Sequence, residues 1–192
     1  MELFVEVAGI APGIVVDLPY ARNANAFGAA MYPLNRAFLR SKTAGRLARA
    51  QRLLCSTGLR LKVWDAYRPL SVQRAMWDAL PDEDFVAPPG RGSRHNRGAA
   101  VDVTLVGPLD AEVEMPSGFD DFSERAHVGY AGGSREARAN RDLLRAVMLA
   151  AGFTGIDEEW WHFDDPEYRR WPLCDVSLHQ LAAHADWMRR CP

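Results

Sequence analysis

The sequence is poor in cysteine, in long apolar runs and in excess charge of either sign. Its three cysteines, Cys55, Cys174 and Cys191, lie far apart and form no CxxC pair. That excludes a disulfide framework and a cysteine-based zinc site. Cys55, in "QRLLCS", fits an apolar helix face, and all three are expected to be buried structural thiols. No apolar stretch approaches the roughly 20 residues that a membrane-spanning helix needs. The N-terminal stretch carries Glu2 and Glu6 and no basic segment, so it does not read as a signal peptide, and a cytoplasmic location is expected. The formal net charge is −2, which argues against nucleic acid or an anionic membrane as partner.

What is present is ordinary globular material. The chain has 192 residues, 48% hydrophobic and 25% charged, enough for one domain over 1–192 with a real core. Oligomeric state is left open, a homodimer among the options.

The pattern predicts a short strand at 13–18 and a loop over 21–33. An amphipathic helix follows at 43–56, with Leu47, Leu53 and Leu54 as its apolar residues. A strand at 59–67 ends at Arg68-Pro69, and a second helix covers 71–80. "AAVDVTLV" reads as a strand, and 106–133 as a long irregular segment of the kind that often carries function. The clearest helix is 134–152, capped by Ser134 and stopped by Gly152, with Leu143, Leu144, Val147, Met148 and Ala151 on one face. "EWWHF" reads as a turn entering a strand, and 177–190 as a terminal helix. Helices and strands do not alternate regularly, so the class is α+β: a central, mainly antiparallel sheet with helices packed on it.

Two segments carry chemistry. In "SRHNRGAAVDVT" a carboxylate, Asp102, sits inside an apolar strand, seven residues after His95. A buried carboxylate is costly unless it is paired, hydrogen-bonded or bound to a metal. Its partner is either a buried arginine or a cation shared with His95. The second segment, "DEEWWHFDD", brings His162 and Glu159. His95, Asp102 and His162 together make three N/O ligands with one open tetrahedral position, the composition of a catalytic metal site. Glu159 can then act as general base. Strand alternation would send Glu159 and His162 to opposite faces, so that role requires Glu159 to lie in a turn before the strand.

"SRHNRGAAVD" matches the SxHxxGxAxD signature and "EWWH" the ExxH signature of the zinc D-alanyl-D-alanine dipeptidases. These resemble a wider group of peptidoglycan D,D-peptidases and the Hedgehog N-terminal domain. "VVDLPYARNANAFG", "VWDAYRP" and "FDDFSERAH" resemble further family segments, in the right order. The resemblance implies one Zn2+ per chain on His95, Asp102 and His162, with Glu159 as base and later proton donor. It implies that Arg68 stabilises the oxyanion, although an ion pair with Asp65 is an alternative for that residue. It implies Asp120 at the substrate ammonium, with Asp121 as the alternative, and Ser93 and Tyr20 as polar substrate contacts, with Tyr32 weaker. Ser93 can equally cap the turn before His95. His127 is given no metal role, and Trp160 and Trp161 are read as walls and core. The substrate implied is D-Ala-D-Ala, in antibiotic resistance or in cell wall turnover. Two alternatives share the site: a D,D-carboxypeptidase or endopeptidase acting on longer peptidoglycan peptides, and a zinc-containing binding module without turnover.

Overall fold

The strand that carries Asp102 is the centre of the molecule. In the computed structural model, which describes residues 3–83 and 85–190, all seven residues of β5 (Ala100–Val106) are buried. To introduce the strands in chain order, β1 is Phe4–Glu6, β2 is Val15–Val16, β3 is Phe38–Arg40 and β4 is Arg60–Asp65; after β5 come β6 (Thr154–Gly155) and β7 (His162–Asp164). Five of them form a mixed sheet in the order β2-β4-β5-β7-β6. Only β2 and β4 run parallel; the other neighbours are antiparallel. β1 and β3 pair separately, antiparallel, with Phe4 opposite Arg40.

Along β5 the side chains alternate. Val101, Val103 and Leu105 join the main apolar core, while Asp102 and Thr104 project from the opposite face. The core also receives Leu47 of α1 (Ser41–Leu53) and Leu144 and Met148 of α3 (Arg135–Ala151), two helices that pack on each other. α2 (Leu70–Ala79) follows β4 directly, and α4 (Leu178–Arg190) closes the described chain. No helix among the described residues is long and apolar enough to cross a membrane.

The class is α+β with four helices, as expected, and the predicted helices appear within about two or three residues at each end. The Ser134 side chain accepts from the Ala137 N–H, and Gly152 closes α3 in the left-handed region at φ 100°. Of the expected irregular segment 106–133, Val106 ends β5 and pairs with Glu112 in an isolated bridge, and the rest is irregular apart from two short 3-10 turns. Three expectations need correction. Cys55 is exposed, because α1 ends at Leu53 and Cys55 lies in the turn beyond it, while Cys174 is half-buried; Cys191 lies outside the described residues. Leu53 is turned to solvent, leaving Leu47 and Leu54 as the buried pair. β1, β3 and β6 were not anticipated.

One irregularity positions the site. Val63 pairs with Val103, but Asp65 pairs with Asp102, so two β4 residues oppose one β5 residue at a bulge. Without it, Asp65 would face Val101 and point into the apolar core. With it, Asp65 emerges beside Asp102.

Candidate active site

Strand register brings two of the three expected ligands together. His162 on β7 is directly opposite Asp102 on β5, so their side chains leave the same face. His95 arrives from a 3-10 turn, His95–Arg97, that ends at Gly98 with φ 69°. A Cβ at Gly98 would meet the Phe4 ring and any other side chain would be strained at this positive φ, so glycine suits the turn. The turn is tied down: Ser93 Oγ accepts from the His95 N–H at 3.1 Å, and the buried Asn96 donates through Nδ2 to the Arg68 carbonyl at 2.9 Å.

His95, Asp102 and His162 each offer a ligand atom within 4.8 Å of the others, and all three are buried. His162 Nδ1 is 2.8 Å from Asp102 Oδ1, and His95 Nε2 is 3.4 Å from Asp102 Oδ2. Each ring's other nitrogen is engaged outside the cluster. His95 Nδ1 lies 2.7 Å from the Ala66 carbonyl, and His162 Nε2 lies 3.0 Å from Asp164 Oδ1. With an N–H on each of those outer nitrogens, His95 Nε2 and His162 Nδ1, 3.3 Å apart and both beside the Asp102 carboxylate, are the atoms that can present lone pairs to a cation or hold protons without one. Two lone pairs and a carboxylate converging on one point fit a cation, and the outer acceptors are the kind that orient metal-binding histidines.

The electrostatics agree. Burial alone would depress both imidazoles, yet Asp102, with Asp65 beside His95 and Asp164 beside His162, raises both. Burial alone would raise Asp102, but the two rings hold its carboxyl well below the usual range. The pocket demands positive charge.

The cluster forms one wall of a cavity of about 140 Å³, also lined by Tyr20, Arg68, Ser93, Asp120 and Glu159. The three expected ligands, Glu159, Arg68, Asp120, Ser93 and Tyr20 therefore meet at one cavity, while the alternatives Asp121 and Tyr32 do not line it. Glu159 precedes β7 in a turn closed by the His162 N–H on the Glu159 carbonyl at 3.4 Å, as its suggested role requires. Its carboxylate stands 3.9 Å from His162 Nδ1. Burial raises its pKa, partly offset by His162.

Arg68 does form the ion pair foreseen as its alternative: its Nη2 donates to Asp65 Oδ2 at 2.6 Å. It also lines the cavity, and its guanidinium lies 5.4 Å from the centre of the Tyr20 ring. Tyr20 donates its hydroxyl to Asp120 Oδ1 at 3.0 Å. Burial pushes the Asp120 carboxyl up to about 7, against the Tyr20 hydrogen bond. Asp121 points elsewhere, accepting from the Ser123 N–H and from Arg125. Tyr32 is buried and donates to Asp65 Oδ1 at 2.5 Å, away from the cavity lining. His127 is exposed. Trp160 and Trp161 are buried in an aromatic cluster with Trp64 and Phe119, and Trp161 also lines the cavity.

Sequence reasoning did not single out Asp164, Gln73 or Phe85. Asp164 carried a legible signal, since it lies two residues after His162 and so on the same strand face. Phe85 meets Phe122 with ring centres 4.2 Å apart, and both line the cavity.

Comparison with known proteins agrees with the motifs. The peptidase M15 model described as D-ala-D-ala dipeptidase matches residues 1–176. A D-alanyl-D-alanine dipeptidase of Escherichia coli K12 is 38% identical over 169 residues, covering 88% of both chains. A D-alanyl-D-alanine dipeptidase of Enterococcus faecium is 32% identical over 191 residues, covering 86% of this chain and 95% of its own. One from Streptomyces coelicolor is 32% identical over 187 residues, covering 83% and 90%. The site geometry and these relatives lead to one conclusion: this chain belongs to the D-Ala-D-Ala dipeptidase family of M15 peptidases.

Proposed function

We propose that the protein is a zinc-dependent dipeptidase that hydrolyses D-Ala-D-Ala to two molecules of D-alanine, the whole chain acting as one domain with one metal ion. The observation that carries this reading is the convergence of His95, Asp102, His162, Glu159, Arg68 and Asp120 on one small cavity. Zinc suits two imidazoles and one carboxylate with an open position. Held there, the cation would acidify a water and polarise the scissile carbonyl.

The remaining work belongs to the chain. Glu159 removes a proton from the attacking water and delivers it to the departing amine. Arg68 donates to the carbonyl oxygen as negative charge develops; a preorganised donor in such a place contributes about 2.7–4 kcal/mol. Asp120 takes the substrate ammonium, and its neighbour Asp121 is already committed to Ser123 and Arg125. Tyr20 holds Asp120 in place, and Ser93 stands at the cavity wall while capping the His95 turn.

The cavity, at about 140 Å³, is smaller than the few hundred cubic ångströms of an ordinary ligand pocket. Its size suits a dipeptide. The joint presence of Glu159 and Arg68 favours turnover over a binding module, which needs neither. A cytoplasmic setting, where free dipeptide is met, belongs to the same reading.

The test is D-alanine release from D-Ala-D-Ala by purified protein, with and without zinc, beside L-Ala-L-Ala. Zinc-dependent cleavage of the D,D-dipeptide alone is expected. Zinc bound without cleavage of the dipeptide would refute this reading; activity on a D-Ala-D-Ala-terminated pentapeptide would then move the assignment to carboxypeptidase.

A further inference from the structure

Gln73 is a buried amide on α2 that the reaction as described does not use. It is fully buried, and a buried amide must find partners for both its ends. Its Oε1 accepts from Arg68 Nη1 at 2.9 Å, and its Nε2 donates to the Ala87 carbonyl at 2.7 Å. The amide can lie only one way round, because a guanidinium can only donate and a carbonyl can only accept.

The position follows from the local chain. Arg68 precedes Pro69, which holds it extended and starts α2. Gln73 lies one helical turn into α2, facing back toward Arg68. The guanidinium is then gripped at two corners from two elements: Nη2 by Asp65 on β4 and Nη1 by Gln73 on α2. Asp65 is itself fixed by Tyr32. Arg68 Nε has no hydrogen-bond partner among the described residues. Gln73 also bonds the loop that forms part of the cavity wall, since Val86 and Ala87 line the cavity.

We propose that Gln73 is a positioning residue for Arg68. It fixes the plane of the guanidinium and its distance from the cavity wall, so that the donor is in place before charge develops on the substrate. This rests on the assignment of Arg68 to that developing charge. Asp65 holds Arg68 as well, but it also lies 3.6 Å from His95 Nδ1, so its replacement would disturb a metal ligand at the same time. Gln73 separates the two effects.

The test is a double-mutant cycle with Gln73→Met, close in volume and without the amide, Gln73→Ala, and Arg68→Ala. Each variant is assayed for kcat and KM on the dipeptide, and checked for zinc content and thermal melting. Gln73→Met should lower kcat by about 10- to 100-fold, the scale for a misplaced catalytic donor, with KM and zinc content little changed. In the Arg68→Ala background the same substitution should change kcat by no more than about twofold, because the residue through which it acts is gone. Equal losses in both backgrounds would mean a general structural role and would overturn the proposal. So would a normal kcat in Gln73→Met beside an impaired Arg68→Ala. If Arg68→Ala itself turned over normally, the assignment of Arg68 would fall first, and the two failures are distinguishable. Should Gln73→Ala fail to fold, the Met variant still decides.

Discussion

Replacing Glu159 with glutamine removes a base and little else. The carboxylate lies 3.9 Å from His162 Nδ1, outside hydrogen-bond range, and is not one of the three atoms that converge on the cation position. Glutamine keeps its shape and cannot accept the water's proton. General-base assistance is worth about 10²- to 10⁴-fold, or roughly 2.7–5.4 kcal/mol in the barrier. Glu159→Gln should therefore lose at least about 100-fold in kcat with KM nearly unchanged and zinc retained at the wild-type ratio. The assay is D-alanine release at saturating dipeptide, with metal content measured on the same sample. Turnover within about threefold of wild type would remove Glu159 from the base role, since even the low end of the range is far larger. Loss of zinc together with activity would refute the reasoning differently, by making Glu159 a ligand. Its pH signature follows from the same geometry. Burial holds the Glu159 carboxyl above the ordinary 4.5, and only its ionised form can accept a proton. The wild-type rate should fall on acidification as Glu159 takes up a proton, and Glu159→Asp should keep an acidic limb.

Five further substitutions have expected outcomes. His162→Ala should lose zinc, and Asp164→Asn should weaken it by about 10- to 100-fold in a chelator competition, because Asp164 fixes the ring that presents the ligand nitrogen. Asp120→Asn should raise KM for D-Ala-D-Ala by about 10- to 160-fold, the equivalent of roughly 1.5–3 kcal/mol for a charged hydrogen bond, and should not affect an N-acetylated dipeptide. Phe122→Ala should open the cavity where Phe122 meets Phe85 and narrow the preference for dipeptide over tripeptide in a competition assay. Arg36 bridges Glu6 on β1 and Asp186 on α4, and its hydrogen bonds lower both carboxyl pKa values. Depressed carboxylates stabilise the fold above their unfolded values and lose that contribution as pH falls through the folded ones. Arg36→Met should lower the melting temperature at pH 7 by roughly 2–4 °C, with the difference shrinking toward pH 2.

The three residues of the candidate metal cluster were legible in the sequence because their chemistry is local. An aspartate in an apolar strand and a histidine beside it in a turn are anomalies that only a partner explains. The helices were legible because their periodicity spans several turns; α3 even shows its cap and its stop. The strands that escaped notice, β1, β3 and β6, are two or three residues long, too short for alternation to register; β2 and β7 are as short, and were read from the apolar run "GIVVDL" and the segment around His162 instead. Cys55 escaped for a related reason: the apolar run of α1 continues past the point where the helix itself ends. What holds the site is long-range. The bulge that brings Asp65 out beside Asp102 exists only in the pairing of β4 with β5. The grip of Gln73 on Arg68 needs the loop carrying Ala87 to return over α2. Neither leaves a periodic trace in the chain.

The two aspartates of "FDDF" show how small the missing information can be. By composition, charge and neighbours they are equivalent, and the sequence offers both for one role. The backbone separates them. Asp120 takes a left-handed conformation at φ 54°, a region that aspartate tolerates better than most residues. That single reversal of sign sends its carboxylate inward to the Tyr20 hydroxyl and the cavity. Asp121 then continues outward, where Ser123 and Arg125 lower its carboxyl, while burial raises that of Asp120. A group satisfied by its neighbours has little to gain from a ligand. A half-buried carboxylate with one hydroxyl for company has much to gain from an ammonium, because the incoming cation offsets the cost of its own charge. Asp120→Asn and Asp121→Asn should therefore separate cleanly in KM, and equal effects from both would place the ammonium elsewhere.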